Sequence, residues 1–321
     1  MWRYILNRLL WMIVIFVGVA FVIFTIMYFA PGDPAQMMLG ENATAQEIAD
    51  MRHTLGLDKS YLAQLGDFLY QTFIKLDLGT SWTYTKPVVQ ELGIRLPRTV
   101  TIGLITMILT TVIGIPLGIL AATHQGQWQD YGIIGASMVF VSLPVFWVAL
   151  MLVVLFSLVL NNLLPAYGID SWKSYILPIV AGTFSGIAGT ARQARSAMLE
   201  TIRADFVTTA RAKGQAERTI IYKHMLPNAI LPLITSLGGR FAGIVAGQAI
   251  VERVFSIPGV GLYLLDGISY RDYPIIRGCT MFFAVFSAIV ILIVDLIYAW
   301  VDPRIKAQYT KNSTRGKGYR V

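Results

Sequence analysis

Two ionisable side chains interrupt otherwise uncharged apolar runs: Arg240, within 229–251, and Asp295, within 278–300. A charge inside hydrocarbon costs at least about 2.5–3.5 kcal/mol, so each needs a reason to be there. Two readings are open for Arg240. It either lines a pathway and meets a passing anionic group such as a carboxylate, or is held by an ion pair or by carbonyls of another helix. Asp295 lies near the end of its run, where snorkelling is cheaper, and reads as structural. Gln248, two turns after Arg240 and about 80° from it on a helical wheel, is a second pathway candidate. The single cysteine, Cys279, excludes an internal disulfide and a cysteine-based zinc site. His53, His124 and His224 are scattered, and no convergent set of nucleophile, acid and base is present. The chemistry on offer is that of passage and packing in an apolar medium.

The composition agrees. Of 321 residues, 55% are hydrophobic and 14% charged, against about a quarter charged in a soluble domain. A span needs roughly 20 apolar residues to cross about 30 Å of hydrocarbon. Six runs qualify: Leu9 to Ala30, Val100 to Thr123, Tyr131 to Leu160, Tyr175 to Ala191, Ala229 to Val251 and Gly278 to Trp300. The first is too long for a signal-peptide core and is read as retained. The fourth is diluted by glycines and Pro178. Gly114 and Gly118 flank Pro116 in the second run and Pro144 interrupts the third, so fixed bends are expected there. Gly239, Gly243 and Gly247 give the fifth a smooth face for helix packing. The expectation is an all-α polytopic membrane protein with six transmembrane helices.

The net charge of +8 is a topology signal. Seven basic residues against three acidic ones lie in 192–227, and six against one in 301–321, whereas 31–99 holds six against eight. Positive residues are retained on the cytoplasmic side, so both termini and the 192–227 loop are expected inside. Nucleic acid is not an expected partner. The chain divides into 1–30, the cytoplasmic start and first span; 31–99, an external segment; 100–300, five further spans; and 301–321, a basic cytoplasmic tail.

The external segment has local order of its own. Thr44-Ala45-Gln46-Glu47 fits a capping box ahead of Ile48, Met51 and Leu55, and Gly56 supplies the stop. Tyr61, Leu65, Phe68, Leu69 and Phe73 form a second amphipathic stretch, and Asp77 to Ser81 reads as a turn. In the inner loop Asp205 is a candidate cap, Phe206 to Lys213 a short helix, Gly214 its left-handed end, and Ala216 towards Leu226 a second helix. A helix held outside the membrane on a short tether is a contact device; the plainer alternative is a basic loop against lipid headgroups.

This loop resembles the signature of the membrane subunits of binding-protein-dependent ATP-driven importers: EAA, three residues, Gly, nine residues, I-x-L-P. Here Thr208-Thr209-Ala210, Arg211-Ala212-Lys213 and Gly214 are followed by nine residues and His224-Met225-Leu226-Pro227. Ala210, Gly214, Leu226 and Pro227 match, while Thr208, Thr209 and His224 depart. Asp205-Phe206-Val207 and Ala210 to Gly214 are similar to the dipeptide, oligopeptide and nickel branch. So are Pro31-Gly32-Asp33-Pro34, Leu55-Gly56-Leu57-Asp58, Asp77 to Ser81, Leu96-Pro97-Arg98-Thr99, Val254 to Gly261 and Asp302-Pro303-Arg304. The long external segment resembles the B-type of the two permease subunits.

The resemblance implies a type I ABC importer permease fold in a bacterial or archaeal cell membrane. The partners it implies are a second homologous permease, two cytoplasmic ATPase subunits, an external substrate-binding protein and the lipid bilayer. It implies an ATPase-coupling set of Asp205, Thr208, Thr209, Ala210, Arg211, Lys213, Gly214, Glu217, Leu226 and Pro227. Ala210 and Gly214 would allow close approach, Arg211 and Lys213 would meet acidic groups, and Leu226 with Pro227 would fix entry into the fifth span. The chain has no G-x-x-x-x-G-K-[ST] motif, so it is expected to carry no cofactor and no catalytic residue, with ATP and Mg bound by the partners. Peptides are the implied cargo, with nickel or another small solute as the alternative. A self-contained secondary transporter is the alternative of a different class, which lacks support from an internal repeat.

Overall fold

The computed structural model describes residues 2–243 and 248–301. Its helices are, in order, α1 (Trp2–Phe29), α2 (Pro34–Leu39), α3 (Ala45–Thr54), α4 (Tyr61–Leu69), which widens into a π turn (Tyr70–Ile74), and the long α5 (Val88–Thr123). Next come α6 (Trp128–Ser142), α7 (Val145–Val153) with a π continuation (Val154–Val159), α8 (Ile176–Ile202), α9 (Asp205–Ala212) and α10 (Glu217–Thr219), continued by a π turn (Ile220–Met225). The last are α11 (Leu226–Ala242), α12 (Ala249–Val254), α13 (Val260–Tyr270) and α14 (Tyr273–Val301).

Four helices among the described residues are long and apolar enough to cross a membrane: Arg8–Phe29, Val88–Thr123, Trp172–Ile202 and Tyr273–Leu296. Trp128–Ser142 with Val145–Val159 makes a fifth if its two arms, bent by 90°, form one span. The run expected as one helix from Tyr131 to Leu160 is thus broken. Pro144 disfavours the helical region for the residue before it, and Leu143 is extended (φ −80°, ψ 123°). The run from Ala229 to Val251 falls on α11, 17 residues long, and the start of α12; residues 244–247, including Gly247, lie outside the described residues. So does the 302–321 tail with its Asp302-Pro303-Arg304 motif. Helix α5 starts well before the apolar run at Val100, because Glu91 is matched one turn on by Arg95 (3.0 Å) and from outside by Lys86 (3.3 Å). It continues through Pro116 without interruption.

The chain forms two compact units. The first contains residues 2–99 and 258–289. Its core gathers Ala20, Phe24, Phe68 and Met281, with the Phe24 ring 5.5 Å from Tyr61 and 5.9 Å from Phe68. The capping box forms as the pattern predicts: the Glu47 amide donates to Thr44 Oγ1 (3.3 Å) and the Thr44 amide to Glu47 Oε2 (2.8 Å). Asp33 caps α2 through the Ala35 amide (3.0 Å) and accepts from Arg52 (2.8 Å). Motifs far apart in sequence meet here. Thr99 Oγ1 accepts from the Val260 amide (2.9 Å) and Arg98 donates to the Pro258 carbonyl (3.0 Å). Buried Asp272 accepts from Ser81 Oγ (2.7 Å) and from the amides of Thr83 (2.8 Å) and Ile275 (3.2 Å), so a carboxylate removed from water is matched by three donors.

The second unit contains residues 100–257 and 290–301. Helix α8, the run most diluted by glycine, is its centre and packs against α6, α7 and α11. The dilution is the reason. Gly182 faces Thr106, Gly186 faces Thr110, Gly114 faces Thr190, and Gly118 faces Ala191 and Ala194. Side chains no larger than threonine let α5 and α8 approach closely, the means of helix association in lipid. Arg195 clamps the buried Asp130 of α6 with two hydrogen bonds (2.6 and 2.7 Å). On α11 the packed glycine is Gly238, against Val294; Gly239 faces open space.

Candidate functional site

The loop between α8 and α11 is an ordered structure with a buried and an exposed side. Val207 and Ala210, three residues apart on α9, are buried together with Ile119 and Ala122 of α5, Ala197 and Met198 of α8, Ile220 and Met225 of the π turn, and Ala229 of α11. The spacing of 207 and 210 puts both on one helix face. Thr208, Thr209, Arg211 and Lys213 are left exposed on the others.

The N-cap of α9 is Ala204 rather than Asp205. Asp205 is the first helical residue, where its negative charge favours the N-terminal end of the helix dipole and its carbonyl accepts from Thr209 Oγ1 (2.9 Å). Gly214 has φ +73° and ends α9 as the pattern predicts. A Cβ there would meet nothing within 4 Å, so the demand for glycine is one of backbone conformation. Ala210, expected at a point of close approach, is buried within this chain. Leu226 packs against the same core, and Pro227 is the second residue of α11, directly after the π turn.

Arg211 folds back on Glu217, donating from Nε (3.2 Å) and Nη2 (2.5 Å). The shared hydrogen bonds raise the arginine's pKa and hold the glutamate's below its ordinary value. His224 pairs with Gln215 (2.7 Å), a second tie across the same turn. The loop's ends are thereby fixed, and Lys213 is the basic side chain of the coupling set without such a tie in the described residues.

Two residues outside the expected coupling set join this surface. Phe206 and Tyr222 are 43% and 56% exposed, flanking the buried pair. The spacing signal for Phe206 was available, since it lies about 100° round the helix from Val207. Nothing in the local pattern marks Tyr222, because its π turn shifts the helical register.

The pathway candidates are placed apart from this loop. Arg240 Nη1 donates to Thr190 Oγ1 (2.8 Å) and to the Gly186 carbonyl (3.3 Å) on α8, and its Nη2 lies 2.9 Å from where a Cβ on Gly189 would be. Gln248 is buried as the residue before α12, and its Oε1 has no hydrogen-bond partner among the described residues.

Four long apolar helices, with a bent pair that makes a fifth if its arms form one span, define a polytopic membrane protein, and its basic loop is ordered with an exposed aromatic and hydroxyl face. The chain belongs to the family of binding-protein-dependent transport system inner membrane components, which matches residues 114–307, with the N-terminal membrane-component family matching residues 1–103. Among its relatives, the dipeptide transport system permease protein DppB of Alkalihalophilus pseudofirmus is 37% identical over 334 positions, covering 95% of this chain and 100% of the relative. The glutathione transport system permease protein GsiC of Salmonella choleraesuis is 35% identical, covering 95% and 99%. A putative peptide transport system permease protein of Brucella abortus is 34% identical, covering 94% and 98%. A chain of the MetNI methionine ABC transporter in an inward-facing conformation shares the fold, with a TM-score of 0.55 at 19% identity over 66% of this chain and 97% of that one. The fold is thus that of a type I ABC importer permease, and the chain is an ABC importer permease subunit of the inner membrane.

Proposed function

We propose that this subunit forms half of the translocation pathway of a short-peptide importer and that the α9 loop carries the motion of cytoplasmic ATPases into the spans. The observation that carries the coupling role is the two-sided loop. Its inner side is built into the α5, α8 and α11 core, so a force on the outer side moves those helices as a body. Phe206, Thr208, Thr209 and Lys213 form the side offered to the ATPase, with Arg211 and Glu217 holding the turn. ATP and Mg are bound by those partners, and this chain carries out no catalysis. A second permease and an external binding protein complete the assembly. The termini lie in the cytoplasm on this reading, by the charge bias of the loops. The peptide assignment rests on the cargo named for the DppB, GsiC and Brucella relatives.

The test is uptake of a labelled dipeptide by proteoliposomes containing the full complex. ATP-dependent uptake that needs the binding protein is the expected result. Uptake of nickel but not peptide would overturn the cargo, and uptake driven by an ion gradient without ATPases would overturn the class.

A further inference from the structure

The first unit contains a cavity of about 300 Å³ that the coupling loop and the pathway candidates do not use. Its wall carries five rings, Phe24, Tyr28, Phe68, Trp82 and Tyr273, among polar side chains that include His53, Gln64, Gln71 and one guanidinium, Arg277. Arg277 stacks over Phe68 (4.9 Å to the ring centroid) and its Nε donates to the Tyr273 carbonyl (3.3 Å). Its Nη groups make no hydrogen bond or ion pair with the described residues, although they are the pair that meets a carboxylate side-on. Of the other ionisable groups on the wall, Lys59 is paired with Asp67 (2.6 Å) and His53 lies 3.9 Å from Asp58. What remains is one guanidinium fork, with the Asp272 charge nearby but no hydrogen-bonded partner for its Nη groups among the described residues, in a chamber of rings and polar side chains whose volume is at the lower end of the ~300–1,000 Å³ usual for small-ligand sites.

We infer that this cavity is a binding site for a small ligand with an apolar body and a free carboxylate, and that on the peptide-importer reading, on which this inference rests, the ligand is a short peptide held by its C-terminal carboxylate on Arg277. The rings take up the side chains and the guanidinium takes the carboxylate. The α1 residues of the wall are at that helix's C-terminal end, external in the proposed orientation, so the site would retain cargo on the side where it arrives.

The experiment is equilibrium binding of labelled alanyl-phenylalanine to the intact permease–ATPase complex in lipid nanodiscs, without ATP or binding protein. Saturable binding is expected, weakened about tenfold or more when the C-terminal carboxylate is replaced by an amide, the loss of one charge-assisted contact. Arg277→Gln should weaken the acid by a similar factor and leave the amide unchanged. The amide arm needs no variant and stands even if Arg277→Gln does not assemble. Equal affinity for acid and amide, no saturable binding, or acid binding insensitive to Arg277→Gln in an assembled complex would overturn the inference. So would an acid affinity that falls as phosphatidylglycerol is added to the disc, which would give the site to a lipid phosphate. ATP-driven dipeptide uptake without cavity binding would contradict this site alone, whereas absence of peptide uptake would contradict the peptide reading beneath it.

Discussion

Gly214 and the Arg211–Glu217 pair show how individual residues set the geometry of the α9 loop. At φ +73° a β-branched side chain is strained by about 1–2 kcal/mol whatever the space around it, and asparagine less so. Gly214→Val is therefore expected to disfavour the native loop conformation by about 5- to 30-fold and to lower transport-coupled ATP hydrolysis, with Gly214→Asn intermediate, measured on the assembled complex. Equal activity of all three would contradict the conformational role. Glu217's depressed pKa means that the pair's contribution is whole above the ordinary glutamate value of 4.5 and is lost as pH falls through the lowered one. Both partners are about half exposed, so the pair is worth only about 0.2–1 kcal/mol. Glu217→Gln should accelerate amide exchange in the 211–217 turn by about 1.5- to 5-fold at pH 7, an effect that fades as pH falls through the lowered pKa of the native glutamate. The glycine was legible from sequence because only a left-handed residue ends a helix there. The partner of Arg211 was not, because a basic residue six positions from an acid across a turn can face either inward or outward.

At the scale of elements, the long apolar runs announced most of the helices, and capping chemistry announced α3. The sequence was least informative where packing overrides composition. Residues 175–191 looked weak as a span because hydropathy counts glycine and threonine as dilution, yet these small residues are what lets α8 sit at the centre of its unit. The apolar run 131–160 looked continuous because hydropathy does not register the extended backbone that Pro144 imposes on Leu143. Gly118 tests the packing argument. A Cβ there would lie 2.5 Å from the Ala191 carbonyl oxygen and from Ala194 Cβ, so Gly118→Val should destabilise the α5–α8 pair by about 1–3 kcal/mol and lower the complex's melting temperature. Gly239→Ala faces open space and should have little effect on the isolated chain. A reversed order of the two variants would contradict the assigned helix face.

At the scale of the whole molecule, the family was legible because its motifs are spread along the chain, and the structure gives several of them a shared physical role. Leu96 to Thr99 and Val254 to Gly261 are joined through Thr99, Arg98, Pro258 and Val260. Ser81 of the 77–81 turn is joined to Asp272. The cavity around Arg277 was not legible, since its wall comes from five separate stretches of sequence, and the patterns some of them carry, such as the helical spacing of Phe68, mark packing and not a shared cavity. The central claim is that the exposed side of α9 is covered by ATPase subunits in the working transporter. It is tested most directly by placing a cysteine at the exposed Thr208, with buried Cys279 replaced by serine, and measuring labelling by a hydrophilic maleimide with and without the ATPases. The account predicts that Thr208→Cys labels readily in the chain alone and far more slowly in the assembled complex, while Glu41→Cys in the external segment labels equally in both. Equal labelling of Thr208→Cys in the two preparations, with the ATPases shown to be bound, would contradict it.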